Sequence, residues 1–293
     1  MIIPPPTGRP ILTHLNADTT WNLQIPATKT SKPFNILIDP WFKGPQSDVA
    51  KWFSTQEHAV ESAISCCDYL RSGIVAQLDD PKAVIDAVAI SHEFTDHCHK
   101  ATLTELKATV PIFAPEPAAG LIRSWKHFDK VITIPDVSKD KPWQEIPGDS
   151  LPDHIRIGRV TTPNNPQYYH SALVIAFDGE AVIYSPHGVN PADLEKLDKT
   201  GLKTLALLHG MHDVRLFPVK QLNLGGLNAM RAVKASKAKY WITTHDEVKE
   251  AHGLIAPFLK RKKWTVDEAL AKMDDVHDHE FVEIDVGHSL VLD

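Results

Sequence analysis

The stretch Ile90-Ser91-His92-Glu93-Phe94-Thr95-Asp96-His97-Cys98-His99 constrains this chain more than any other. It packs three imidazoles, a thiol and two carboxylates into eight positions directly after the apolar run Ala87-Val88-Ala89-Ile90. That run has the length and residue types of a buried strand. The residues that follow, Lys100–Ala108, are good helix formers with helically spaced leucines. The cluster is therefore expected on a strand-to-helix loop, where open α/β folds place their chemistry. Asp96 would lie near the helix N-terminus, where the backbone dipole favours a carboxylate. Neutral imidazole nitrogen and carboxylate oxygen are ligands for zinc, iron and manganese. So many of them in one loop would be costly to bury unpaired.

Composition narrows the partners. The chain has 293 residues, 43% of them hydrophobic, and a formal net charge of -6. Non-specific nucleic-acid binding needs clustered Lys and Arg. The one basic knot, Lys260-Arg261-Lys262-Lys263, reads as a solvated helix end, so a small-molecule substrate is expected and a nucleic acid is not. No apolar stretch approaches the ~20 residues of a membrane span, so no membrane partner is expected. The start, Met1-Ile2-Ile3-Pro4-Pro5-Pro6, lacks the layout of a secretory signal and reads as an extended arm. Three cysteines, with Cys66 and Cys67 adjacent, make no disulfide framework, and a reducing cytoplasm is the expected setting. Oligomeric state is not written in the sequence.

Taken in order, Ile11–His14, Trp21–Ile25 and Phe34–Ile38 alternate like strands, joined through 16–18 and 28–32. Residues 41–82 form a long connection, aromatic at its start and helical in pattern over Glu57–Arg71. From Val110 the chain settles into short strand–helix units: strands at 110–114 and 131–134 flank a helix over Glu116–His127. A surface loop is expected at 135–154. Strands follow at Ile155–Thr162, Ala172–Phe177, Ala181–Tyr184 and Leu202–Leu208, with a hairpin turn at Asp178-Gly179. Helices are expected over Pro191–Lys199, Asn223–Lys237 and Val266–Met273, a strand over Tyr240–Thr243, and a final strand pair at the C-terminus.

Ser91-His92-x-x-x-Asp96-His97 resembles the signature loop of the metallo-β-lactamase superfamily, usually written H-x-H-x-D-H after a strand. The opening strands and Ile38-Asp39-Pro40-Trp41 are similar to the family's start, where a strand often ends in aspartate–proline. Trp241-Ile242-Thr243-Thr244-His245 resembles the late strand that delivers the family's last histidine. The likeness is closest to the lactonase-like branch that includes ascorbate-6-phosphate lactonase. It implies an α+β fold, a four-layer αββα sandwich. The whole of 1–293 would then be a single metallo-β-lactamase-like domain with a partly helical insertion at about 41–82.

The resemblance also implies a ligand set, with two departures. Phe94 stands where the family has its second histidine, and His187, in Tyr184-Ser185-Pro186-His187-Gly188, stands where the family has a bridging aspartate. An imidazole offers one lone pair and cannot bridge two ions. Both changes argue against a second metal. One divalent ion is expected, zinc first, with iron or manganese as alternatives. It would be held mainly by Asp96, His97 and His245, with His92, His187 and His170 as further candidates. Asp39 would orient a ligand histidine through a hydrogen bond. His209 is placed either to support the ligands or to contact substrate. Asp96 is the candidate catalytic group, holding the attacking water and moving its proton. The expected activity is hydrolysis of a small ester, lactone or related carbonyl compound. A phosphodiesterase, or a binding protein that keeps the fold without turnover, are the alternatives.

Overall fold

The computed structural model describes residues 3–29, 31–138 and 140–293. Met1 and Ile2 of the expected arm, and Thr30 and Lys139 in two expected connections, lie outside the described residues. The chain divides into two compact units. The first comprises Met1–Thr133, Glu247–Gly253 and Ile284–Asp293, and the second Ile134–Asp246 and Leu254–Glu283.

The first unit is built on a seven-stranded sheet in the order Ser289–Val291, Ile11–His14, Trp21–Ile25, Phe34–Ile38, Ala87–Ala89, Ile112–Ala114, Val131–Thr133. Its first three pairings are antiparallel and its last three parallel. The helices Cys67–Leu78 and Glu116–Ser124 cover one face. There Leu70, Ile74, Ala118 and Ile122 pack with Leu37, Val88, Ile90 and Ile112 in one apolar cluster. Parallel strands joined by helices leave chemistry at their carboxyl ends, and the His-rich loop follows the parallel strand Ala87–Ala89. The helix after that loop is a short one, Lys100–Leu103.

The connection 41–82 is ordered differently from the sequence expectation. Gln46–Asp48, Ser54–Glu57 and Glu250–His252 form a small antiparallel sheet. The helix expected over Glu57–Arg71 instead runs Cys67–Leu78. Backbone donors in the intervening stretch find partners elsewhere: Ala59 and Val60 donate to the Glu247 carboxylate at 2.8 and 2.9 Å, and Ala63 donates to the Leu15 carbonyl at 2.9 Å. These contacts satisfy the groups that a helix would otherwise pair.

The second unit has a six-stranded sheet in the order Glu280–Val282, Tyr240–Ile242, Lys203–His209, Glu180–Ser185, Ala172–Phe177, Ile155–Val160. Its first three pairings are parallel and the other two antiparallel. Ala229, Met230 and Val233 of the helix Gly226–Ser236 pack with Ile183, Leu207 and Trp241. The segment expected as a surface loop at 135–154 buries Trp143 and Ile146 against Ala176. The basic knot is not a helix end: Leu259–Lys263 is a strand paired with His212–Leu216, so Lys260–Lys263 project from a sheet. The C-terminal strands do not pair with one another, since Glu280–Val282 joins Tyr240–Ile242 and Ser289–Val291 joins Ile11–His14. Among the described residues no helix is long and apolar enough to cross a membrane.

Candidate metal centre

In the first unit the site begins with Asp39, the residue after strand Phe34–Ile38. Its φ of 41° is left-handed, a conformation that non-glycine residues adopt at a cost. The turn is held because Asp39 donates its N–H to the Ala89 carbonyl at 3.1 Å and its own carbonyl accepts from the Thr20 hydroxyl at 2.8 Å. Bent in this way, the carboxylate accepts three hydrogen bonds from the His-rich loop. They come from the Ser91 N–H at 2.7 Å, the Ser91 hydroxyl at 2.5 Å and His97 Nδ1–H at 2.6 Å.

Those bonds fix the His97 ring and leave Nε2 as its ligating nitrogen. His97 Nε2 lies 3.7 Å from Asp96 Oδ1. Two ligands at ~2.1 Å from one tetrahedral ion stand ~3.4 Å apart, so this pair fits a shared divalent ion. The His92 ring lies 3.9 Å from the His97 ring, centroid to centroid. Burial alone would lower the His97 pKa, but the Asp96 and Asp39 carboxylates outweigh it and the net direction is upward. A cation bound at Nε2 would displace that proton. The Phe94 ring packs edge-to-face with that of His92, centroids 4.7 Å apart, and has no ligand atom, while the Phe94 N–H donates to His92 Nδ1 at 3.3 Å.

In the second unit, His245 follows strand Tyr240–Ile242 and is also left-handed, with φ 58°. Its neighbour Asp246 anchors the turn by accepting from the N–H groups of Met211 and His212 at 2.8 to 2.9 Å. The approach is so close that a Cβ at Gly210 would sit 2.8 Å from the Thr244 carbonyl, which makes glycine necessary there. The His245 ring lies 4.9 Å from that of His187. His187 donates Nδ1–H to the Leu222 carbonyl at 3.2 Å, which leaves Nε2 to ligate. His170 donates Nε2–H to the same carbonyl at 2.9 Å, so only its Nδ1 remains for an ion. His209 is fully buried between the Gly210 carbonyl at 3.0 Å and Asn228 Oδ1 at 2.8 Å, and burial lowers its pKa. It joins a strand end to the helix Gly226–Ser236, a supporting position.

Sequence reasoning missed Lys249. This side chain is buried, with Nζ 2.6 Å from Asp18 Oδ2 and 2.7 Å from Asp96 Oδ2. Its ammonium also lies 5.3 Å from the centroid of the Trp41 ring. Desolvation works against its charge, but Asp18 and Asp96 outweigh it, and the pKa is raised. Asp48 stands nearby, its pKa raised by burial and by the Asp96 charge, while its carboxylate accepts from Thr95 N–H at 3.3 Å. A lone lysine in Asp246-Glu247-Val248-Lys249-Glu250 carries no spacing signal. The pairing of Glu250–His252 with Ser54–Glu57 and the contacts of Glu247 with His58, Ala59 and Val60 bring it inward.

The family model described as Beta-lactamase superfamily domain matches residues 28–245. Among solved structures, a possible metal-dependent hydrolase from Veillonella parvula DSM 2008 superposes with a TM-score of 0.62 at 17% identity, covering 97% of this chain and 100% of that one. An isothiocyanate hydrolase from Delia radicum gut bacteria gives 0.60 at 15% identity, covering 96% and 98%. A metallo hydrolase from the archaeon Ignicoccus hospitalis KIN4/I gives 0.58 at 15% identity, covering 97% and 98%. No curated protein sequence matches. At such identities the superpositions speak for the fold, and the family match covers the strands and loops that carry the histidines and Asp96. This chain belongs to the β-lactamase superfamily and has the metallo-β-lactamase fold.

Proposed function

We propose that this protein is a metal-dependent hydrolase acting on a small ester, lactone or related carbonyl compound, of the lactonase-like kind. The observation that carries the reading is the 3.7 Å separation of Asp96 Oδ1 and His97 Nε2, with Asp39 fixing the imidazole from behind. Asp96 and His97 of the first unit would hold the ion, with His92 as a further candidate, and His245, His187 and His170 stand as candidate ligands in the second unit. When bound, the ion supplies a water acidified toward pKa ~7 and an electrophile for the substrate carbonyl. Asp39 keeps the proton on His97 Nδ1, so that Nε2 stays a lone-pair donor. Asp96 Oδ1, through the lone pair such an ion leaves, would accept a hydrogen bond from the attacking water and orient it. His209 holds the strand end that precedes the loop at 210–212.

Metal analysis of protein purified without added metal, followed by turnover of an ester and lactone panel, tests this. Near-stoichiometric zinc, iron or manganese is expected, lost in His97→Ala, with turnover abolished by chelator and restored by the ion. Absence of any bound ion after reconstitution would refute the ligand set. Bound metal without turnover of any panel member would leave a binding protein instead.

A further inference from the structure

The first unit holds a buried cation that the hydrolytic reading does not use. The Lys249 ammonium has three donors. Its Nζ lies 2.6 Å from Asp18 Oδ2 and 2.7 Å from Asp96 Oδ2, and it sits over the Trp41 ring, 5.3 Å from the centroid. Its backbone is clamped on both sides. Before it, Glu247 accepts from Ala59 and Val60 and pairs with His58 Nδ1 at 2.6 Å; after it, Glu250–His252 is paired with Ser54–Glu57. Gly253 closes the segment at φ 98°, with the Phe53 carbonyl only 2.7 Å from where a Cβ would stand. The ammonium is therefore placed by the fold rather than carried on a loose arm.

The two oxygens of Asp96 are divided by this arrangement. Oδ1 faces His97 Nε2, and Oδ2 faces Lys249. A divalent ion on Oδ2, bonded at ~2.1 Å, would lie within about 5 Å of the ammonium, where like charges out of water repel strongly. In the same loop the Phe94 ring packs edge-to-face with that of His92, centroids 4.7 Å apart, and its side chain adds no ligand atom.

We propose that Lys249 is a positioning residue that serves as the built-in second cation of this centre, reserving Asp96 Oδ1 for a single divalent ion. The proposal rests on the metal-dependent reading above and adds to it that a protein side chain supplies positive charge on Asp96 Oδ2. Asp18 completes the device, since its Oδ2 pairs with the same ammonium at 2.6 Å.

The test is to saturate the full-length metal-free protein with Mn2+, remove excess by desalting, and read stoichiometry by elemental analysis and the Mn2+ electron paramagnetic resonance spectrum. Wild type is expected to hold one ion with an uncoupled signal. Lys249→Met is expected to hold two, with Asp18, Asp48 and Asp96 now open to the second, and a spin-coupled signal. Lys249→Arg, which keeps the charge, is expected to stay at one. Two ions in wild type would overturn the proposal while leaving the metal-dependent reading intact, and no ion at all would overturn both. A folded Lys249→Met that still holds one ion would also overturn it. If Lys249→Met does not fold, the wild-type and Lys249→Arg spectra decide, since a coupled pair in either is incompatible with the proposal.

Discussion

Asp39 shows how much one carboxylate does here. It is fully buried, left-handed, and accepts from Ser91 twice and from His97 once. Asp39→Asn keeps the shape but replaces one acceptor oxygen with an NH2 facing donors. Metal affinity in a competition titration should fall ~10–100-fold, with little change in far-UV circular dichroism. His14 makes a separate point about pH. Stacked 4.0 Å from Trp21 and donating Nδ1–H to the Ile284 carbonyl at 2.6 Å, it is buried enough that its pKa falls to about 4. The unfolded chain takes up that proton below its ordinary 6.5, and the folded chain does so only near 4. Stability from this residue is therefore complete above pH 6.5 and declines as pH falls toward 4, by about 3 kcal/mol in all. Urea midpoints measured across that window should drop less steeply in His14→Phe than in wild type.

At the level of elements, the turns after strands matter more than the strands. Gly188 follows His187 with φ 93°, and a Cβ there would stand 2.6 Å from the Leu224 Cβ. Gly188→Ala should cost roughly 2 kcal/mol from backbone strain and crowding, read as a lowered thermal midpoint, and should displace the His187 ring. Such detail separates what the sequence disclosed from what it hid. The core strands were legible because runs such as Ala172–Phe177 and Lys203–His209 are buried along nearly their whole length and are bounded by turn residues. The His-rich loop was legible because its donors are adjacent in the chain. The helix Cys67–Leu78 was misplaced because Glu57–Cys66 has helical spacing but spends its backbone donors on Glu247 and Leu15. Lys260–Lys263 read as a helix end because charge runs suit one, whereas pairing with His212–Leu216 makes it a strand. Asp18 and Lys249 were invisible, since 231 positions separate them in number and only the fold joins them.

For the whole molecule, the proposed ion couples chemistry to stability. A ligand that binds the folded chain and not the unfolded one stabilises it by about 2.7 kcal/mol at a hundredfold excess over its dissociation constant. Loading with zinc should raise the thermal midpoint by several degrees over the chelator-treated protein, and His97→Ala should abolish the difference. Dye-based melting with and without chelator checks this, and equal midpoints would count against a tightly held ion.

The first unit is assembled from three separated pieces of chain, and its sheet has Ser289–Val291 as an edge strand beside Ile11–His14. During synthesis the strands Ile11–His14 and Trp21–Ile25 emerge early, yet the partner Ser289–Val291 follows only after the second unit. Pairing of such distant segments is slow because loop closure precedes any gain. The nascent polypeptide thus carries an open margin at Ile11–His14 until Ser289–Val291 has been made, and arrival of that strand, rather than emergence of the histidines, is the event that lets this sheet edge close.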